Sequence, residues 1–82
     1  MFKNKSASGK NNLCGEKVFA LRKQQTPKMS QRILADRLQI HGIDVDKNAV
    51  QRIESGERFV TDIELKVLAE IFHTTCDELL KQ

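Results

Sequence analysis

The chain has 82 residues, with 14 Lys+Arg against 11 Asp+Glu for a formal net charge of +3, and it is 39% hydrophobic and 30% charged. That balance fits one small globular domain. No stretch approaches the roughly 18 consecutive apolar residues of a membrane helix, and residues 1–12 contain no apolar run of the secretory kind, so a cytoplasmic protein with no membrane association is expected. Cys14 and Cys76 lie 62 positions apart, outside any CxxC spacing, and are too few for a disulfide framework, which predicts free thiols.

The placement of the charge says more than its total. Lys3, Lys5 and Lys10 account for the whole excess, and residues 13–82 are neutral. Within them residues 13–58 hold nine bases and six acids, whereas residues 59–82 hold two bases and five acids, which predicts a basic front and an acidic back.

Residues 1–12 are mainly Lys, Asn, Ser and Gly, with Phe2 as the one large apolar side chain, so ordering them would cost backbone entropy without compensation. This predicts a disordered basic arm over 1–12 and a folded domain over 13–82; the arm is either an inert tail or an electrostatic tether to phosphates. In Gly-Glu-Lys-Val-Phe-Ala-Leu-Arg-Lys-Gln-Gln, Val18 and Leu21 fall at i and i+3, and Pro27 breaks the helix so predicted. Ser30 supplies an N-cap for a second helix striped by Leu34, Ala35 and Leu38. Gly42, Asp44 and Asp46 among β-branched residues predict a turn. Asp46 then caps a third helix over 47–55, which Gly56 ends in the left-handed conformation. Thr61-Asp-Ile-Glu64 is a capping box for a fourth helix carrying Leu65, Leu68, Ala69 and Phe72 on one face, and Thr75-Cys-Asp-Glu78 repeats the device for a short fifth helix. The result is an all-α domain.

At 100° per residue, Val50 and Ile53 of the third helix lie about 60° apart and define its buried side. Asn48, Gln51, Arg52 and Ser55 then point the other way, with Lys47 and Glu54 at the flank. Asn and Gln amides can bond bidentately to adenine, Arg to guanine, and a helix fits the major groove. The alternative is an ordinary polar helix surface. The order of elements favours the first reading, because a capped helix, a turn and a second short helix with such a row match what helix-turn-helix docking requires.

Leu21-Arg22, Ser30-Gln31 with Leu34-Ala35 and Leu38, Val50, Ile53-Glu54-Ser55-Gly56, Leu68-Ala69 and Asp77-Glu-Leu-Leu80 follow one another over about 15–80. In this order they resemble the Cro/repressor-type, or XRE-like, helix-turn-helix family. The resemblance implies a five-helix lambda-repressor-like bundle that binds double-stranded operator DNA as a homodimer and regulates transcription, usually as a repressor. It implies that Ala35 is the small residue allowing the second and third helices to approach, and that Gln31 meets a phosphate. Lys47, Asn48, Gln51 and Arg52 match positions facing bases or the adjoining backbone, and Ser55 and Arg58 complete the candidate DNA-binding set. Arg22 and Glu54 resemble an inward salt bridge between the first and third helices, whose broken form would strand a charge at a cost on the order of 3 kcal/mol.

Two departures stand out. Thr26-Pro-Lys-Met makes a long first link, and the six residues 39–44 replace a tight turn. Either the second helix runs on to His41 with Gly42 reversing the chain, or a loop protrudes; in both cases Val45 is an apolar plug before Asp46. Cys14, His41, His73 and Cys76 lack the paired spacing of zinc ligands, no Gly-rich phosphate loop occurs, and no nucleophile set can be assembled, so neither a metal, a cofactor nor an enzyme is expected. The rival function is an antitoxin or other protein-interaction module, since Val67, Ile71, Leu79 and Leu80 in the acidic segment 59–82 either complete the core or form a partner or dimer surface. A protein antagonist is a further partner that a regulator without its own sensor would use.

Overall fold

In the computed structural model, which describes residues 10–81, local polar chemistry sets where the helices begin and end. They are α1 (Gly15–Lys23), α2 (Gln31–Ile40), α3 (Lys47–Ser55), α4 (Asp62–Ile71) and α5 (Cys76–Leu80), with no strand among the described residues. Ser30 Oγ accepts from the Ile33 amide, Asp46 Oδ1 from Ala49, Thr61 Oγ1 from Glu64 and Thr75 Oγ1 from Glu78. Each bond satisfies an amide that has no partner inside its own helix. At Thr61 the box closes, because the Glu64 carboxylate accepts from the Thr61 amide. At Thr75 the structure shows the hydroxyl half of the box.

Three helices stop by the same device. Around Gly42 (φ 89°) the Ile43 amide returns to the Leu38 carbonyl and the Gly42 amide to Gln39. Around Gly56 (φ 87°) the Glu57 and Gly56 amides return to Arg52 and Ile53, and around His73 (φ 54°) the Thr74 and His73 amides return to Ala69 and Glu70. These pairs satisfy carbonyls at the helix ends and require one left-handed residue each. Histidine carries a β-carbon penalty there that glycine avoids. The 39–44 segment therefore takes the first of its two predicted forms: α2 continues through Ile40 and Gly42 reverses the chain. Gln39 Nε2 donates to the Val45 carbonyl at 2.7 Å, and Val45 is buried ahead of the Asp46 cap.

The core draws on every helix. Val18 from α1, Leu34 and Leu38 from α2, Val50 and Ile53 from α3, Leu68 from α4 and Leu79 from α5 are the most deeply buried apolar side chains, with Cys14 beside them. Each contributes on the order of 1.5–3 kcal/mol by leaving water. The most extensive packing is between α2 and α3, where Ala35 is buried, and α1 lies against α3. Val67, Ile71 and Leu79 are buried and complete this core, whereas Leu80 stays 38% exposed.

The boundary of the predicted arm needs correction. Asn11 donates its amide to the Gly56 carbonyl and its Nδ2 to Glu57. Asn12 Nδ2 donates to the Ile53 and Arg58 carbonyls, and its Oδ1 accepts from the Gly15 amide. Asn11 and Asn12 thus form a strap across the end of α3, held by backbone carbonyls rather than by apolar burial. Residues 1–9 of the predicted arm, with Lys3 and Lys5, lie outside the described residues.

Gly15 and His73 make opposite predictions. A β-carbon on Gly15 would overlap the Ile53 carbonyl oxygen, where α1 meets α3. Gly15→Ala, which at an open helical site adds stability, is expected to lower it by about 1–3 kcal/mol. His73→Gly is expected to raise it by up to about 1 kcal/mol by removing left-handed strain. Urea unfolding midpoints check both signs.

Candidate nucleic-acid interface

The site is the outer side of α3, and its orientation follows from what the inner side buries. Val50 and Ile53 are in the core, and Glu54 beside them is also buried. Asn48, Gln51, Arg52 and Ser55 face outward and line one open concavity together with Glu57, which follows the Gly56 reversal. Ser55 Oγ donates to the Arg52 carbonyl at 3.1 Å. The side-chain polar groups of Asn48, Gln51 and Arg52 take no hydrogen bond or ion pair within 10–81, so two amides and a guanidinium fork remain available. An amide offers a donor and an acceptor side by side and a guanidinium offers paired donors, which suits planar polar edges and anions. Lys47 is exposed at the start of the same helix.

A charge network holds α3 in this orientation. Arg22 Nε donates to Glu54 Oε2 at 2.6 Å and Nη2 to Oε1 at 3.1 Å, while Nη1 reaches the Met29 carbonyl at 3.1 Å. Gln31 Nε2 donates to Glu54 Oε1 at 3.0 Å. The Phe19 ring covers the guanidinium, with 5.5 Å from Cζ to the ring centroid. The pair expected between Arg22 and Glu54 is therefore present and ties α1, the start of α2 and α3 to one point.

The predicted site residues divide into two groups. Lys47, Asn48, Gln51, Arg52 and Ser55 share the outer side of α3. Gln31 and Arg58 do not join them. The Gln31 amide nitrogen serves Glu54, and the Arg58 guanidinium forks onto Glu64 at 2.9 and 3.0 Å while also donating to the Phe59 carbonyl. Arg58 instead sits at the joint between α3 and α4, paired with the Glu64 carboxylate that its own capping box positions. Glu57 is the residue that sequence reading misses. Its signal was the Gly56 stop itself, which turns the next side chain back beside Ser55.

The remaining chemistry is sparse. Both cysteines are free, and burial pushes the Cys14 thiol up to about 11, which leaves it protonated and unreactive near neutrality. Among the described residues, no three His, Cys, Asp or Glu side chains gather where they could hold a metal ion, and no helix is long and apolar enough to cross a membrane.

The hydrogen bonds from Arg58 hold the Glu64 carboxyl below its ordinary range. A depressed native value means that this group stabilises the fold above the unfolded glutamate range of about 4.3 and loses that contribution as pH falls through the native value. The stability advantage of the wild type over Glu64→Gln should accordingly be full at neutral pH and vanish in acid, as followed by urea unfolding at a series of pH values. No family model matches the chain, and neither a curated protein nor a solved structure with significant similarity to it was found.

Proposed function

We propose that this chain is a sequence-specific DNA-binding transcriptional regulator, a repressor of the helix-turn-helix kind, with a lambda-repressor-like arrangement of its five helices. In this reading α3 enters the major groove and α2 braces it across the backbone. The observation that carries the proposal is the clustering of Asn48, Gln51 and Arg52, uncommitted and exposed, on one side of a helix whose other side is locked into the core. Asn48 and Gln51 would read adenine edges, Arg52 a guanine edge, and Lys47 and Ser55 the adjoining phosphates. Glu57, on the same surface, disfavours phosphate at the C-terminal end of α3 and so limits sequence-independent binding. The protein acts as a homodimer on a two-fold operator.

The protein-interaction alternative loses much of its support from packing. Three of the four apolar residues that would have built a partner surface, Val67, Ile71 and Leu79, are in the core.

Selection from a random duplex pool, followed by gel shift of the enriched site, tests the reading. A two-fold symmetric site is expected, and Arg52→Ala should cost about 1–3 kcal/mol in binding and relax the preference at one base position. Equal losses on every sequence would move Arg52 to a phosphate. Failure to enrich any sequence at moderate salt would overturn the reading.

A further inference from the structure

We propose that the concavity between the end of α1 and the start of α2 docks a segment of another protein, rich in Asp and Glu and carrying an aliphatic or aromatic anchor. The concavity has a volume of about 480 Å³ and shares no residue with the one on α3. Among its lining residues Met29 is buried and Ile33 is 41% exposed. The half-exposed Phe19 ring extends this apolar surface, because Arg22 and Lys23 of the same lining lie over it, at 5.5 and 5.7 Å from its centroid.

The charges identify the occupant. Every ionisable side chain that lines the concavity is a cation: Arg22, Lys23 and Lys28. The Arg22 guanidinium is spent on Glu54 and the Met29 carbonyl, and the Ser30 hydroxyl accepts from the Ile33 amide. The two ammonium groups are exposed and uncommitted, since Lys28 takes no hydrogen bond or ion pair with a described residue and Lys23 meets only the Phe19 ring. What a ligand meets is therefore two cations beside aliphatic and aromatic surface. A second copy seated by the same face would bring cation against cation, and a nucleic-acid backbone, having no apolar group to offer, would leave Ile33 and Phe19 uncovered. An acidic segment with an apolar anchor answers both features: the anchor removes Ile33 and Phe19 from water, and the carboxylates select and steer the encounter. The concavity beside Leu13 does not select a partner in this way, because Glu16 lines it together with Lys17 and Lys81.

This surface adds to the DNA reading without resting on it. It gives a protein antagonist a place apart from the outer side of α3. Arg22 belongs both to its lining and to the charge network on Glu54, so an occupant sits against the group that orients α3.

Panning a phage-displayed random peptide library on the full chain, without DNA, tests the docking. Enrichment of peptides that combine Asp or Glu with Leu, Ile, Phe or Trp is expected, and the best of them, labelled with a fluorophore, is titrated by fluorescence anisotropy. Lys23→Glu and Lys28→Glu together should weaken its binding about tenfold or more. Ile33→Ala should weaken it about fivefold, whereas Arg52→Ala, on the other surface, should leave it unchanged. These side chains are exposed, and circular dichroism spectra like that of the wild type check that the variants fold. Replacing the anchor of the peptide by Ala should also weaken binding about tenfold; no effect would mean that the lysines only collect anions, DNA phosphates included, and overturns the proposal. So does a library that yields no enriched peptide, an enriched set without acidic residues, or binding that ignores the lysine and Ile33 changes. Because no duplex is present, the outcome is independent of the DNA reading, which the duplex selection decides.

Discussion

The arrangement depends on a charge pair buried where α1, α2 and α3 meet. Taking Arg22 and Glu54 out of water costs several kcal/mol per ion, and their attraction offsets this only if the remaining hydrogen-bonding capacity is also met. Here it is: the fork is bidentate, Met29 supplies a carbonyl to the guanidinium, and Gln31 supplies an amide to the carboxylate. Such a network adds little net stability over an apolar packing of the same volume. It does penalise misplacement, because sliding α3 along α1 by one turn would strand both charges. We attribute to it the rotation of α3, and with that the choice of side chains that face outward.

Two further constraints act on the same helix. The Asp46 cap fixes where α3 starts, and the Gly56 reversal fixes where it ends. The strap of Asn11 and Asn12 then occupies carbonyls of residues 53, 56, 57 and 58, so the end of α3 is held by chain that precedes α1. A short helix of nine residues has little intrinsic stability in water. These tertiary ties let its outer side remain polar and uncommitted without loss of the helix.

The charge distribution looks different once partners are known. Of the nine bases in residues 13–58, Arg22 and Arg58 are consumed by Glu54 and Glu64, and the latter acid belongs to the nominally acidic back. The net charge of the front therefore overstates the cations that a polyanion would meet. Glu57 lowers it further at the mouth of the concavity. In the DNA-binding role proposed for this chain, affinity within the described domain would rest on a few exposed cations, and discrimination on directional groups such as Asn48, Gln51 and Arg52.

Much of this was legible in the residues. Caps, glycine stops and apolar periodicity are local, so Ser30, Asp46, Thr61 and Thr75 announce helix starts, and Val50 with Ile53 determines which side of α3 is buried. Three features needed the folded chain. The strap was invisible because its partners are backbone carbonyls more than forty positions away, which no composition records. Arg58 looked like a free cation until α4 brought Glu64 within 3 Å. The exposure of Phe59 and Ile63 is a third, since hydrophobicity alone does not tell which apolar side chains a small core has room for. Sequence by itself determined the helices and the polar row on α3, because both follow from contacts within a few residues. Tertiary structure alone decided which charges stay available and which apolar groups stay outside, because those depend on pairings between distant segments.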